Sequence, residues 1–342
     1  MVWEVKLAKN SYSKAGVDID ANDVATRLIK KVAGIAGRPE VLSGVGYFGG
    51  MFELGDRKDP VLVASTDSVG TKIKIAIALG RYDTVGADIV NHCANDIFTC
   101  GAEPLFFLDY IGIGKTIPEK VAEIVKGAAE ACRDIGCALL GGETAELRDV
   151  YSSDDYDLVG SIVGIVEKGK IIDGSSITVG DSIIGLPSSG LHTNGYSLAR
   201  KVLGETKSDL EKHYPELDGT LGDVLLEPHL CYYNTIKPLL PYIKGMSHIT
   251  GGGLIDNVPR TLPEGLAARI DSSSWDRPPI YGLIQERGNI DRDEMYRVFN
   301  MGIGMTVICA PDNTAQITGA LPEAKVIGQV VKQKGNTRVD IA

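Results

Sequence analysis

Two apolar runs of strand length break off into small residues that carry an acid, and this pattern constrains the fold more than any other feature of the chain. In Pro60 to Ile77, PVLVASTDSVGTKIKIAI, Val61 to Ala64 read as a buried strand and Ser65 to Lys72 as a turn into a helix. In the second run a strand from Cys137 to Leu140 gives way to Gly141-Gly142-Glu143-Thr144-Ala145-Glu146. Open α/β sheets place their ligand sites at such strand ends. The first amides of a helix have no intrahelical partner and can face a phosphate. Lys72 then stands where a phosphate would be, and Asp67 is either a helix N-cap or a metal ligand.

Before these runs, Asp20 is placed to cap a helix from about Ala21 to Ile35 whose apolar face is Val24, Leu28, Ile29 and Val32. Gly44-Val45-Gly46-Tyr47-Phe48-Gly49 matches GxGxxG but leads into strand-like sequence rather than opening a helix, so a dinucleotide site is excluded. A glycine loop folding over a ligand, or a plain hairpin entry, remains. The row Val85, Ile89, Cys93, Ile97 predicts a helix from Thr84 to Cys100 with one buried face. Its other side carries Asp88, His92, Asn95 and Asp96, a set rich in short acids and amides that are poor exposed helix formers. After the strand Leu105 to Leu108, Gly112-Ile113-Gly114-Lys115-Thr116 lacks the first glycine of a P-loop, because Asp109 stands there. Thr116 with Glu119 reads instead as a capping box.

Three acids, Asp67, Asp96 and Glu143, therefore come from separate elements of the first half, and hard oxygens of this kind suit Mg²⁺ on nucleotide phosphates. No His/Cys cluster is visible for zinc, since His92 and Cys93 are adjacent and point to different helix faces. Tyr156 to Glu167 is a long strand, and KGKIIDGSSITVGD after it reads as a linker. The second half alternates strands (Ser182 to Leu186, Ala267 to Ile270, Gly302 to Cys309, Lys325 to Val331) with helices near Pro279 to Arg287 and Asp291 to Asn300. Its loops Pro187 to Gly195 and His248 to Gly253 precede helices and are possible phosphate cradles, or tight turns.

Charge narrows the partners. Lys+Arg 35 against Asp+Glu 45 gives −10, which leaves no basic footprint for nucleic acid or anionic membrane. The six cysteines show no CxxC pairing, and no apolar leader or membrane-length segment is present, so a cytoplasmic setting is expected.

Taken together and in order, TDSVGTK, ANDI followed by GAEPLFFLDY, LLGGETAE, YDLVG, LPSSGLHTNGYSLARK, HITGGGLIDNVPRTLP and MYRVFNMGIGM resemble the phosphoribosylformylglycinamidine cyclo-ligase family, also called aminoimidazole ribonucleotide synthetases. The resemblance spans nearly the whole chain. It implies a mixed α/β fold in two domains. Residues 1–170 would form an N-terminal mixed-sheet ATP-binding domain pairing into a dimeric β-barrel, and 171–342 a C-terminal α/β sandwich domain lining the substrate cleft. The implied activity is the ATP-dependent closure of formylglycinamidine ribonucleotide, a purine precursor, to aminoimidazole ribonucleotide, with release of ADP and phosphate. Short strands around Tyr47 to Leu54 and Val61 to Ser65 would need partners, in line with a homodimer.

Carried over by motif, Asp67, Asn95, Asp96 and Glu143 would hold Mg-ATP, with Asp67, Asp96 and Glu143 as metal ligands and Lys72 facing the phosphates. Lys30, Gly46, Gly49, Gly142 and Thr144 would belong to the nucleotide site, and the Gly44 to Gly50 loop would close over it. Ser188, Ser189, Asn194, Thr250, Gly251 and Gly252 would line the substrate cleft. His192 and His248 are the candidates for proton transfer or amidine orientation, with Lys72 as the third catalytic group.

The chain departs from the family pattern at three places. Ser68 stands where the family has glycine and His92 where it has an apolar residue. Pro228-His229-Leu230-Cys231-Tyr232 replaces Pro-Thr-Arg-Ile-Tyr, so Leu230 takes the place of an arginine, and Arg200 and Arg260 become the candidates for the substrate phosphate. A selenophosphate synthetase of the same superfamily would need a reactive cysteine near its N-terminus, and the first cysteine here is Cys93.

Overall fold

The computed structural model describes residues 19–43 and 47–342. Gly46 and the side chain of Asp20 lie outside the described residues. In the first half, strands β1 (Pro60–Ser68), β2 (Glu103–Ile113), β3 (Ala138–Glu146) and β4 (Tyr156–Glu167) form one sheet in the order β1-β4-β2-β3. Only β2 and β3 run parallel. Alternation decides which side each residue takes. Along β4, Tyr156, Leu158 and Ile162 are buried while Asp157, Val159, Ser161 and Val163 are only half-buried on the other face.

Helices cover the apolar face. They are α1 (Ile19–Ala33), α2 (Ile73–Leu79), α3 (Asp83–Phe98) and α4 (Pro118–Asp134). Helix α3 packs on β1, β2 and β4, α4 packs on β3, and α1 packs outside α4. The opposite face, with Leu62 more than half exposed on the edge strand β1, carries no helix among the described residues.

In the second half β5 (Ser182–Pro187), β6 (Gly245–His248), β7 (Leu266–Ile270), β8 (Ile303–Cys309), β9 (Lys325–Lys332) and β10 (Val339–Ile341) form a sheet in the order β10-β7-β9-β5-β8-β6. Strand β8 is buried at every position, as a strand inside a two-sided layer must be. All its pairings are antiparallel except β10 with β7.

The local expectations fail in four places. Strand β1 runs on to Ser68, so Asp67 lies within the ladder opposite Gly160, and the turn into α2 begins only at the 3-10 turn Gly70–Lys72. Strand β3 continues through Gly141-Gly142 to Glu146, because parallel pairing with β2 outweighs the weak strand propensity of glycine. No strand forms from Tyr47 to Leu54, where the only pairing is a bridge from Val41 to Phe52. Thr116 caps nothing. The N-cap of α4 is Ile117, followed by Pro118, and the Thr116 N–H donates to Glu146.

Helices α3 and α4 cross at two glycines. A Cβ on Gly86 would sit 2.0 Å from the Ile124 carbonyl oxygen, and one on Gly127 2.0 Å from that of Asp83. Only hydrogen fits there. Gly86→Ala should therefore cost about 1–3 kcal/mol in urea unfolding by overpacking. Gly282→Ala, in the helix Pro279–Gly288 with nothing within 4 Å of the added carbon, should instead stabilise by about 0.5–1 kcal/mol.

Candidate active site

The polar face of α3 is not solvated. It docks onto residues 227–232 of the second half through hydrogen bonds to backbone. Asn91 donates to the His229 carbonyl at 2.7 Å, and Asn95 donates to the Leu230 carbonyl at 2.7 Å while accepting from the Tyr232 N–H at 2.9 Å. Asp88 accepts from the His229 N–H at 2.8 Å. Fully buried beside it, Lys72 donates to Asp88 at 2.9 Å and to the Glu227 carbonyl at 2.7 Å. Burial pushes the Lys72 ammonium down and the Asp88 carboxyl up, and each is partly held back by the charge of the other.

Two of the expected site residues lie at this junction. In the structure the Lys72 ammonium is buried and turned to Asp88 and the Glu227 carbonyl at the domain junction, not to an open phosphate site. Asn95 has both ends of its amide committed to backbone of residues 230 and 232. The signal was present in the composition of the helix face, but its partner was a loop more than a hundred residues away.

One turn on, the same helix presents His92 and Asp96 to three further histidines. His92 Nε2 lies 2.9 Å from Asp67 Oδ2 and 3.8 Å from Asp96 Oδ2, and its Nδ1 lies 2.8 Å from Thr193 Oγ1. Thr193 Oγ1 is 3.4 Å from His229 Nδ1, His229 Nε2 is 2.9 Å from His248 Nε2, and His248 Nδ1 is 2.8 Å from Asp96 Oδ1. Ser65 donates to the other Asp96 oxygen at 3.0 Å. The links form a nearly closed ring.

Carboxylates only accept, so His92 must donate to Asp67 and His248 to Asp96 from the nitrogens facing them. His248 Nε2 then accepts from His229 Nε2–H, His229 Nδ1 accepts from the Thr193 hydroxyl, and the Thr193 oxygen accepts from His92 Nδ1–H. This arrangement of protons satisfies every link, and it makes His92 an imidazolium while His229 and His248 stay neutral. The titration tendencies agree. Burial works against charging His92, but the bond to Asp67 and the charges of Asp96, Asp67 and Asp88 outweigh it and hold the ring above its ordinary value. Burial, with like charge from neighbouring rings, holds His229 well below. Burial also lowers His248, against the pull of Asp96. Asp67 and Asp96 sit below the usual carboxylate value despite burial, because of His92 and His248 respectively.

His192, one of the two catalytic candidates, lies behind this ring. It is buried at φ 59°, stacked face to face on His229 with ring centroids 3.9 Å apart, and takes the Ser189 N–H on Nε2. Its Nδ1 has no partner among the described residues. Gly304 leaves the room it needs, since a Cβ there would lie 2.5 Å from the His192 ring. His248 faces open space instead. It lines a cavity of about 390 Å³ between the two sheets, together with Ser65, Asp96, Thr250, Asn257 and Arg260. Among the described residues the Arg260 guanidinium has no ion pair, whereas Arg200 is paired with Glu205.

A second pocket, of about 580 Å³, opens at the other side of the first sheet. Its walls are apolar, from Ala25, Ile29, Ala33, Val125, Leu139 and Leu140. Lys30, Tyr47, Phe48, Gly49, Glu143 and Thr144 also line it. At its base Asp109 is pushed up to about 7 by burial. Gly142 makes room for that carboxyl, since a Cβ would fall 1.8 Å from Asp109 Oδ1. Asp109 was visible in the sequence only as the residue that spoils a P-loop.

The expected convergence of three acids is thus partial. Asp67 and Asp96 meet at His92, but Glu143 lies three strands away from β1, roughly 14 Å at about 4.8 Å per strand. The substrate-cleft residues divide similarly. Thr250 lines the interdomain cavity, whereas Ser188 donates to Asn300 and Ser189 to the Pro228 carbonyl. The Gly251 carbonyl accepts from Asn257, Gly252 takes a left-handed turn, and the Asn194 amide oxygen lies against Gly251.

The chain, with its two sheets meeting at a cleft, is an AIR synthase related protein by its match to that family in both halves. Residues 50–166 match the family described as AIR synthase related protein, N-terminal domain, and residues 178–341 its C-terminal domain. A hydrogenase maturation protein HypE, solved in complex with ATP, shares this fold at a TM-score of 0.65 and 15% identity, over 92% of this chain and 91% of that one. Within that class, the chain belongs to the phosphoribosylformylglycinamidine cyclo-ligase family. It is 52% identical over 334 residues to the member from Syntrophotalea carbinolica (95% of each chain) and 50% identical over 334 residues to that from Geobacillus thermodenitrificans (95% of this chain, 96% of the other).

The buried pair generates a test. Lys72→Met leaves Asp88 charged and unpaired, so it should destabilise the protein by about 3–5 kcal/mol in urea unfolding. Lys72→Met with Asp88→Asn, which keeps an acceptor for the His229 N–H, should recover much of that loss.

Proposed function

We propose that this chain closes the imidazole ring of formylglycinamidine ribonucleotide at the expense of ATP, releasing ADP and phosphate, a reading supported by relatives named phosphoribosylformylglycinamidine cyclo-ligase. The observation that carries the reading is the interdomain cavity, where an unpaired guanidinium, a carboxylate with a bound imidazole, and small hydroxyl residues from both halves line one space. Arg260 would meet the substrate phosphate in place of the arginine absent at Leu230. His248 at the cavity wall, held by Asp96 on Nδ1 and by His229 on Nε2, would orient the attacking amidine.

The formyl oxygen is a poor leaving group, so it would first be phosphorylated, and the two reacting ends would be held close by the cavity walls. The apolar pocket beneath Lys30 and Phe48, with the Asp109 carboxyl at its base, suits a nucleoside. Asp67 and Asp96 offer hard, partly exposed oxygens, 42% and 29% accessible, and these fit a Mg²⁺ carried by the triphosphate. The ion would offset phosphate charge, while Glu143 would contribute from the nucleoside pocket.

Two chains would pair through the uncovered face and edge of the first sheet, where Leu62 and Thr66 lie exposed on β1. A cytoplasmic setting fits a chain in which no helix of the described residues is long and apolar enough to cross a membrane. The selenophosphate alternative fares poorly, since Cys93 is buried and its thiol is pushed well up.

The purified protein should release ADP only when formylglycinamidine ribonucleotide is present, and ¹⁸O placed in the formyl group should appear in inorganic phosphate. Label kept in the organic product would refute the reaction. Arg260→Gln should raise KM for that substrate about 10–100-fold, the loss of one charge-assisted contact, with less change in kcat. Light scattering should give twice the 36.5 kDa chain mass, and a monomer at micromolar concentration would reject the pairing.

A further inference from the structure

Neither the family motifs nor the expected magnesium accounts for His92 and His229, which stand outside the family pattern and yet meet each other across the domain junction. Their rings, with His192 and His248, are packed within 3.9 to 5.3 Å of one another in successive centroid contacts. Two triples of this cluster bring donor atoms within 4.8 Å: His192, His229 and His248, and His92, Asp96 and His248.

The first triple is poorly aimed. His192 and His229 are stacked with an interplanar angle of 23°, so their in-plane lone pairs run nearly parallel instead of converging. The second triple converges. Its rings stand at 80° to each other, and the Asp96 carboxylate lies 3.8 Å from His92 Nε2 and 2.8 Å from His248 Nδ1. Asp67 Oδ2 brings a second carboxylate to within 2.9 Å of His92 Nε2. A tetrahedral centre with bonds of about 2.0–2.1 Å spaces its ligand atoms by roughly 3.3 Å, and the donor atoms of His92, Asp96 and His248 already lie within 4.8 Å of one another.

The outer contacts are those a metal-bound imidazole needs. In such sites the ring nitrogen away from the ion is held by a hydrogen bond. His92 Nδ1 is held by Thr193 and His248 Nε2 by His229. Loading would move the protons that now point at the acids. His92 would keep its proton on Nδ1 toward Thr193, His248 would carry its proton on Nε2 and donate to His229 Nε2, and His229 would donate from Nδ1 to the Thr193 oxygen, which then accepts from both rings and turns its own hydroxyl proton elsewhere.

We propose that His92, Asp96 and His248, with Asp67 beside them, form a transition-metal site of the zinc class in the interdomain cleft, open on the cavity side. Two imidazoles and a carboxylate favour such borderline cations over Mg²⁺, which takes oxygen ligands. The site shares two acids with the magnesium reading above but does not rest on the cyclo-ligase reaction.

The test is a calorimetric titration of the chelator-stripped full chain with ZnCl2 and, separately, MgCl2, without nucleotide, so that its outcome is independent of the ADP-release assay. One Zn²⁺ per chain should bind, with Mg²⁺ weaker by at least about 100-fold. His92→Leu, an apolar side chain of similar size, should weaken zinc by at least about 100-fold, more than the loss of an outer partner costs. Zinc-edge X-ray absorption of the loaded wild-type chain should show two imidazoles and no sulfur, which decides the matter even where the variant does not fold. Absence of stoichiometric zinc, oxygen-only or sulfur coordination, or undiminished zinc binding by folded His92→Leu would overturn the proposal.

Discussion

The docking of one polar helix face onto one loop holds the molecule together where it works. Asp88, Asn91 and Asn95, a turn apart on α3, reach backbone groups of residues 227–232, and Lys72 neutralises the one charge among them. These groups are desolvated, so each must be satisfied or the junction fails. Because His92 and Asp96 continue the same face, the clamp also fixes where the first half presents its acids to the second. Neighbouring rows of a single helix separate structure from chemistry: Asn91 and Asn95 seal the junction, and His92 and Asp96 beside them join the histidine ring.

The histidine ring extends that logic. A polar ring of this size would be a liability if any member lacked a partner. Its members are satisfied by running all protons in one direction, from the imidazolium His92 round to Asp96. The cation sits between two carboxylates, and the neutral rings lie deeper. His192 alone keeps an orphan nitrogen, and it owes its place to a left-handed turn and to the bare Cα of Gly304.

The order of strands and helices was legible because apolar periodicity reports burial directly, as the rows along α3 and β4 show. Boundaries were less so. The glycines at Gly141-Gly142 suggested a break, but ladder pairing with β2 carried the strand through them, and Asp67 likewise stayed in its strand. The site was half legible. Asp67, Asp96 and His248 were marked by the resemblance and do meet. That Lys72 and Asn95 are covered by residues 227–232 was not legible, because a lone sequence shows residue types along a helix but not which loop will pack on them. His229 was noted only as a departure, and Asp109 only as a failed motif, since each acquires meaning from partners on other strands and helices.

The strand order of the second sheet has a temporal consequence. Its first strand in sequence, β5, is not at an edge but in the centre, where Ser182 pairs with both Cys309 and Gln329. The first sheet closes by Glu167, so it is complete while β5 still lacks both neighbours during synthesis. Pairings this distant in sequence form late and slowly. In that interval the polar turn of α3 and the Lys72–Asp88 pair face water, with the loop that will cover them already made but unanchored. A first half that forms its sheet before the second is complete would expose this polar surface to water. The charges that look costly in the finished junction are what keep its unfinished surface from sticking to other chains.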